Sequence, residues 1–151
     1  LTKYYWMNIA DPDVPFLGLI EHTNMLPKEW YDGKNILYLT NYLDRTDPVY
    51  SLSQDELLDL YLPHLTKFNP EFDRSWVKKV HYNALSAAQP IIGTNYSKAI
   101  ADHRTPVKKL YLANTTQVYP EDRGTNYSIK MGRELAEMIV EDEQHGWNNW
   151  K

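Results

Sequence analysis

The sequence predicts an α+β chain: a mostly antiparallel sheet, a helix after it, and a C-terminal strand–loop–helix unit. Three observations carry this expectation. Residues 3–43 hold three short apolar, aromatic-rich runs separated by turn residues, the pattern of strands joined as a meander. Residues 53–68 and 125–142 repeat apolar side chains at helical spacing. Residues 109–113 form a mostly apolar run that enters a polar loop just before the second of those helices.

The first strand is expected within residues 3–9, rich in Tyr, Trp and Ile, and closed by the turn cluster Asp11-Pro12-Asp13. The second apolar run, 16–20, leads into Glu21-His22-Thr23. A polar, glycine-ended turn follows at 28–33. Residues 35–43 then alternate, with Ile36, Tyr38, Thr40 and Tyr42 on one face and Leu37, Leu39, Asn41 and Leu43 on the other. Both faces are largely apolar, so this strand is expected inside the sheet, packed on both sides.

Ser53 and Glu56 have capping-box spacing and mark a helix start. Leu57, Tyr61, Leu65 and Phe68 form its buried stripe. Pro63 inside that stripe should kink or divide the helix, and Asn69-Pro70 ends it. Residues 75–85 return to β character, 89–93 form a connection, and 98–103 suggest a short helix stopped before Pro106. A strand at 109–113 enters the loop 114–124. The last helix runs to about residue 142, with Tyr127, Met131, Leu135, Met138 and Ile139 on one face. Residues 146–151 should fray.

Composition narrows the chemistry. The 151 residues carry 16 Lys plus Arg against 20 Asp plus Glu, a net charge of −4, which disfavours general polyanion binding and hence nucleic acid. With no cysteine, disulfides, thiolate zinc, iron–sulfur ligation and a Cys nucleophile are excluded. No apolar run approaches the ~18 residues of a membrane span. None of His22, His64, His81, His103 and His145 are three to five apart, so no metal site is expected. The glycines form no G-x-G or Walker pattern, and no serine sits in a G-x-S-x-G elbow. Three glycosylation sequons, at Asn95, Asn114 and Asn126, are read as fortuitous because no signal peptide precedes them, and a cytoplasmic location is expected. Lacking an initiating Met, the chain is expected to be cut from a longer one.

The strongest local signal is Gly124-Thr125-Asn126 at the start of the last helix. A helix N-terminus offers unpaired N–H groups and partial positive charge, and glycine lets a ligand approach them. Such a site suits a phosphate or an electron-rich ring oxygen. A capped helix with a glycine-containing lead-in accounts for the same residues without any ligand. His22, at a strand end, is the most plausible polar group of a cavity.

The segment from Leu110-Tyr111-Leu112-Ala113-Asn114 through Tyr119-Pro120-Glu121-Asp122-Arg123-Gly124-Thr125-Asn126-Tyr127 resembles the C-terminal flavin-binding segment of FAD-dependent amine oxidase and protoporphyrinogen oxidase-like oxidoreductases. The branch related to UDP-galactopyranose mutase is the most similar. Gly124 and Gly132 match its glycine spacing. Met7-Asn8-Ile9, Pro15-Phe16, residues 20–24, Tyr38-Leu39 and Ala88-Gln89-Pro90-Ile91 resemble its substrate-domain strands, so the resemblance covers about residues 4–139.

The resemblance implies a substrate (cap) domain portion at 1–90, a crossover at 91–107 and a C-terminal FAD-binding segment at 108–145. It implies cofactor contact by Gly124, Thr125 and Asn126, and by Asn114, which stands where the family often has an acidic residue. His22, Tyr42 and Gln89 are assigned to the substrate cavity, a placement that the family pattern does not fix. No residue is assigned to catalysis. The family's N-terminal Rossmann unit with G-x-G-x-x-G is missing. The implied parent is therefore an FAD-dependent oxidoreductase of which this is the C-terminal portion. The chain's partners are then the missing Rossmann half and a small-molecule substrate. Alone it should neither retain FAD nor turn over substrate, and should self-associate through apolar faces. Two rival readings are a non-redox, mutase-like flavoenzyme and a cofactor-free binding or assembly domain.

Overall fold

The computed structural model describes residues 1–146; the remainder of the expected fraying tail, 147–151, lies outside the described residues. The chain divides into two compact units, Leu1–Ser86 and Ala87–Lys151. It is α+β, with one small antiparallel sheet and two α-helices among the described residues.

The first unit opens with the sheet: β1 (Trp6–Asn8), β2 (Gly18–Glu21) and β3 (Leu37–Thr40), in that spatial order, all antiparallel. The expected meander is therefore formed. Its order corrects one expectation, because β2 is the central strand and β3 an edge. The register aligns Trp6, Ile20 and Tyr38 in one row and Met7, Leu19 and Leu39 in the next. Strand alternation turns the second row inward. Leu19 is fully buried, with Met7 and Leu39 packed on the core, whereas Tyr38 is 48% exposed. The Tyr38 face is aromatic and hydroxyl-bearing, a surface that tolerates water, so two apolar faces in sequence did not become two covered faces.

Helix α1 (Gln54–Tyr61) begins as expected. Ser53 Oγ accepts from the Glu56 N–H, and the Glu56 carboxylate accepts from Ser53 N–H at 2.9 Å and from its hydroxyl at 2.6 Å. Those bonds hold the Glu56 carboxyl below its ordinary pKa. Pro63 divides the helix: α1 stops at Tyr61 and the chain tightens into a 3-10 stretch, Leu62–Lys67. The stripe continues across the change, with Tyr61 and Leu65 buried and Leu57 and Phe68 packed beside them. Val14, Phe16, Leu19, Tyr61, Leu62 and Leu65 make the core, and the Phe16 ring lies 5.3 Å from Tyr61 and 6.2 Å from Phe68.

Residues 75–85 form no strand. A 3-10 turn, Arg74–Trp76, starts under the Asp73 carboxylate, and the chain then runs irregularly, leaving Trp76 and Leu85 exposed. These residues pair with no strand, so β character alone is not enough to make one.

In the second unit, the expected helix at 98–103 is only a 3-10 turn, Tyr96–Lys98. The expected strand at 109–113 is reduced to one bridge, Tyr111 to Arg104. Lys109 adopts a left-handed backbone, φ 66°, which interrupts the extended run. The C-terminal unit is thus loop–helix rather than strand–loop–helix. Helix α2 (Thr125–His145) forms over its 21 residues. Met131 is buried, Tyr127, Leu135 and Met138 are half-buried, and Ile139 sits at the margin of that stripe.

Candidate functional site

The start of α2 is built by the loop before it. Asn114 caps a 3-10 turn, Thr115–Gln117: its Oδ1 accepts from Thr116 N–H, and its own N–H donates to Gln117 Oε1 at 2.8 Å. Tyr96 donates its hydroxyl to the Thr116 carbonyl at 2.7 Å and packs on Tyr119, at 5.5 Å between rings. The Tyr119–Pro120 peptide is cis. The loop then delivers Gly124 as N-cap of α2 with an extended backbone, φ −76° and ψ 158°.

No side chain caps α2. A Cβ at Gly124 would collide with Asn126 Oδ1, so a side chain at this position requires the Asn126 amide to move. Immediately before Gly124, Arg123 donates from Nη1 to Gln89 Oε1 at 3.2 Å, and its Nε is buried with no hydrogen-bond partner among the described residues. The second unit therefore holds Gly124, Thr125, Asn126 and, through Arg123, Gln89. Asn114 is present in the same unit, but its side-chain oxygen is committed to Thr116.

A cleft of about 220 Å³ lies along the first turns of α2, lined among others by His103, Gln117, Tyr119, Tyr127 and Met131. The His103 Nδ1–H donates to the Leu112 carbonyl at 2.8 Å, the tautomer consistent with Gln117 Nε2 donating to the Ala101 and Leu112 carbonyls. Sequence reasoning passed over Arg123, His103 and Gln117. The available signal for Arg123 was its place directly before a helix-start glycine; for the other two, which approach through loops, there was none.

The far end of α2 is fixed by an ion pair. Arg104 Nε and Nη2 each donate to an Asp142 carboxylate oxygen at 2.8 Å, and Tyr111 donates to Asp142 Oδ2 at 2.9 Å. Arg104 is the largest cause holding the Asp142 carboxyl below its ordinary 3.8. Desolvation, then Asp142 itself, pushes the Tyr111 phenol up. A carboxyl lowered in the folded state stabilises the fold above its unfolded value and loses that contribution as pH falls through the folded value. Denaturant unfolding should show a wild-type advantage over Asp142→Asn that is constant above about pH 5 and shrinks below about pH 4. An advantage unchanged down to about pH 2 would mean that ionisation of Asp142 is not its source.

In the first unit, His22 Nε2 and the Tyr31 hydroxyl are 2.6 Å apart, and the His22 ring stands edge-on to Tyr31 and Tyr38. This places His22 on the exposed face of the sheet beside the Trp6–Ile20–Tyr38 row. Tyr42 is 70% exposed in the loop after β3, and its backbone N–H donates to Asn41 Oδ1.

Among the described residues no group of three His, Asp or Glu could hold a metal ion, and no helix is long and apolar enough to cross a membrane. No protein-family model matches the chain, and neither does any curated protein or solved structure.

Proposed function

We propose that this chain is the C-terminal portion of an FAD-dependent, amine oxidase-like oxidoreductase, and that the start of α2 faces the flavin. The observation that carries this reading is the uncapped start of α2 at Gly124, preceded by a guanidinium whose Nε has no partner among the described residues. Both present hydrogen-bond donors, and both favour an electron-rich acceptor. Bound FAD would supply the acceptor for a hydride from a C–N or C–C bond of substrate. The first-turn N–H groups would bind and orient the pyrimidine edge, where negative charge collects on reduction. Asn114 can contribute only its amide N–H, since its oxygen is taken. His22 and Tyr42 in the first unit, and Gln89 in the second, remain individually proposed as substrate-side groups.

Exposed apolar surface supports the view that more polypeptide covers this chain: Ile91 is 97% exposed, Leu85 71% and Trp30 70%. The same surface underlies the proposed self-association of the chain by itself. The mutase-like rival calls for an Arg-rich cavity. Of five arginines, Arg104 is paired with Asp142, Arg74 with Asp59, and Arg45 with the Ser86 carbonyl. That commitment favours redox chemistry.

The test is the visible spectrum of the longer protein that joins this chain to its nucleotide-binding half. Flavin absorption is expected there and not in the 151-residue chain. A colourless, stable longer protein would instead support a cofactor-free binding or assembly domain.

A further inference from the structure

We infer that Arg123 positions the cofactor, its guanidinium receiving a negatively charged or carbonyl oxygen of the flavin nucleotide; this rests on the flavin reading above. Among the described residues, Arg123 Nε is the buried side-chain polar atom that lacks a hydrogen-bond partner. A guanidinium stays charged and has five N–H donors in a rigid fork, so it cannot escape the cost by losing a proton. Leaving a buried donor unmade is unfavourable, and such a group in a folded protein calls for an explanation.

The surroundings do not satisfy it. The neighbouring carboxylate is turned to the backbone, Asp122 Oδ1 accepting from the Arg123 main-chain N–H at 2.8 Å. The Asp122 carbonyl accepts from Gly124 N–H at 2.9 Å. Among the described residues, the one bond made by the head is the 3.2 Å contact from Nη1 to Gln89 Oε1, and no carboxylate pairs with the guanidinium. Arg104 and Arg74, by contrast, each meet a carboxylate. Gln89 holds one arm of the fork, so the head is oriented before a ligand arrives, and less side-chain freedom is lost on binding.

The test uses the longer, flavin-bearing protein with Arg123→Met and Arg123→Lys. Flavin affinity and the position of the flavin absorption bands are read, together with circular dichroism for folding. Loss of a charge-assisted hydrogen bond is expected to weaken FAD binding about ten- to a hundredfold in Arg123→Met and to shift the bands. Arg123→Lys keeps the charge without the fork and is expected to recover part of the affinity. Inorganic phosphate that competes with FAD in the wild type and not in Arg123→Met places the acceptor among the phosphates; no competition with the affinity loss retained places it on a carbonyl. Unchanged affinity and bands in Arg123→Met would mean that the guanidinium is merely hydrated, and the inference is overturned. Should that variant fail to fold, wild-type affinity in Arg123→Lys overturns it equally. A wild-type longer protein without flavin sinks the flavin reading itself, a different result from a flavin-bearing protein indifferent to position 123.

Discussion

Phe16→Ala should destabilise the first unit by about 3–5 kcal/mol, the range for deleting a large buried aromatic. Phe16 is 1% exposed and sits where the chain enters the central strand. Its ring touches Tyr61 of α1 and Phe68 after the 3-10 stretch, so it joins the sheet to the divided helix. Truncation leaves a cavity between rigid elements that cannot both move inward. Domains of this size have about 5–15 kcal/mol of stability in all, so much of the margin disappears. The urea midpoint reads the effect, and hydrogen exchange at the α1 amides should rise with it. A loss under about 1 kcal/mol would show that Phe16 does not organise this core.

If the start of α2 faces FAD as proposed, Gly124→Asp should have opposite effects on fold and on cofactor binding. The backbone there is extended, so aspartate adopts it without strain. The Asn126 amide must swing away from the new Cβ. Aspartate is a good N-cap, and its charge suits the helix dipole, so the 151-residue chain should gain a few tenths of a kcal/mol. In the longer protein the same carboxylate would occupy the donors assigned to the flavin and repel its electron-rich edge. FAD affinity should fall about a hundredfold, equivalent to about 2.7 kcal/mol. Fluorescence titration of flavin measures the second effect and thermal unfolding the first. A variant that is more stable and binds FAD as tightly as the wild type would remove the start of α2 from the cofactor site.

The helices were the most legible part of the sequence because their signals are local. Ser53 and Glu56 cap each other three residues apart, Pro63 breaks its own turn, and the stripe from Tyr127 to Met138 needs only helical periodicity. Strands were legible only where partners lay close by in sequence, as for the three of the meander. Residues 75–85 and 109–113 carry strand-like residues, but the first pairs with no strand and the second turns left-handed at Lys109. The start of the candidate site was likewise local, since Gly124 and the helix after it are adjacent in sequence. Its polar neighbours were not: Gln89 reaches Arg123 across 34 positions, and Asn114 spends its oxygen on Thr116.

Helices α1 and α2, their starts and the break at Pro63 were readable from residue order, whereas the short helix expected at 98–103 was not realised beyond a 3-10 turn. Packing settled that β2 and not β3 is central, that Tyr38 and His22 share a face, and that, among the described residues, the Arg123 Nε–H is buried without an acceptor. Capping, proline geometry and periodicity act within a few residues and are written in their order. Strand order, burial and hydrogen-bond satisfaction depend on which distant groups arrive, and residue order alone does not specify that.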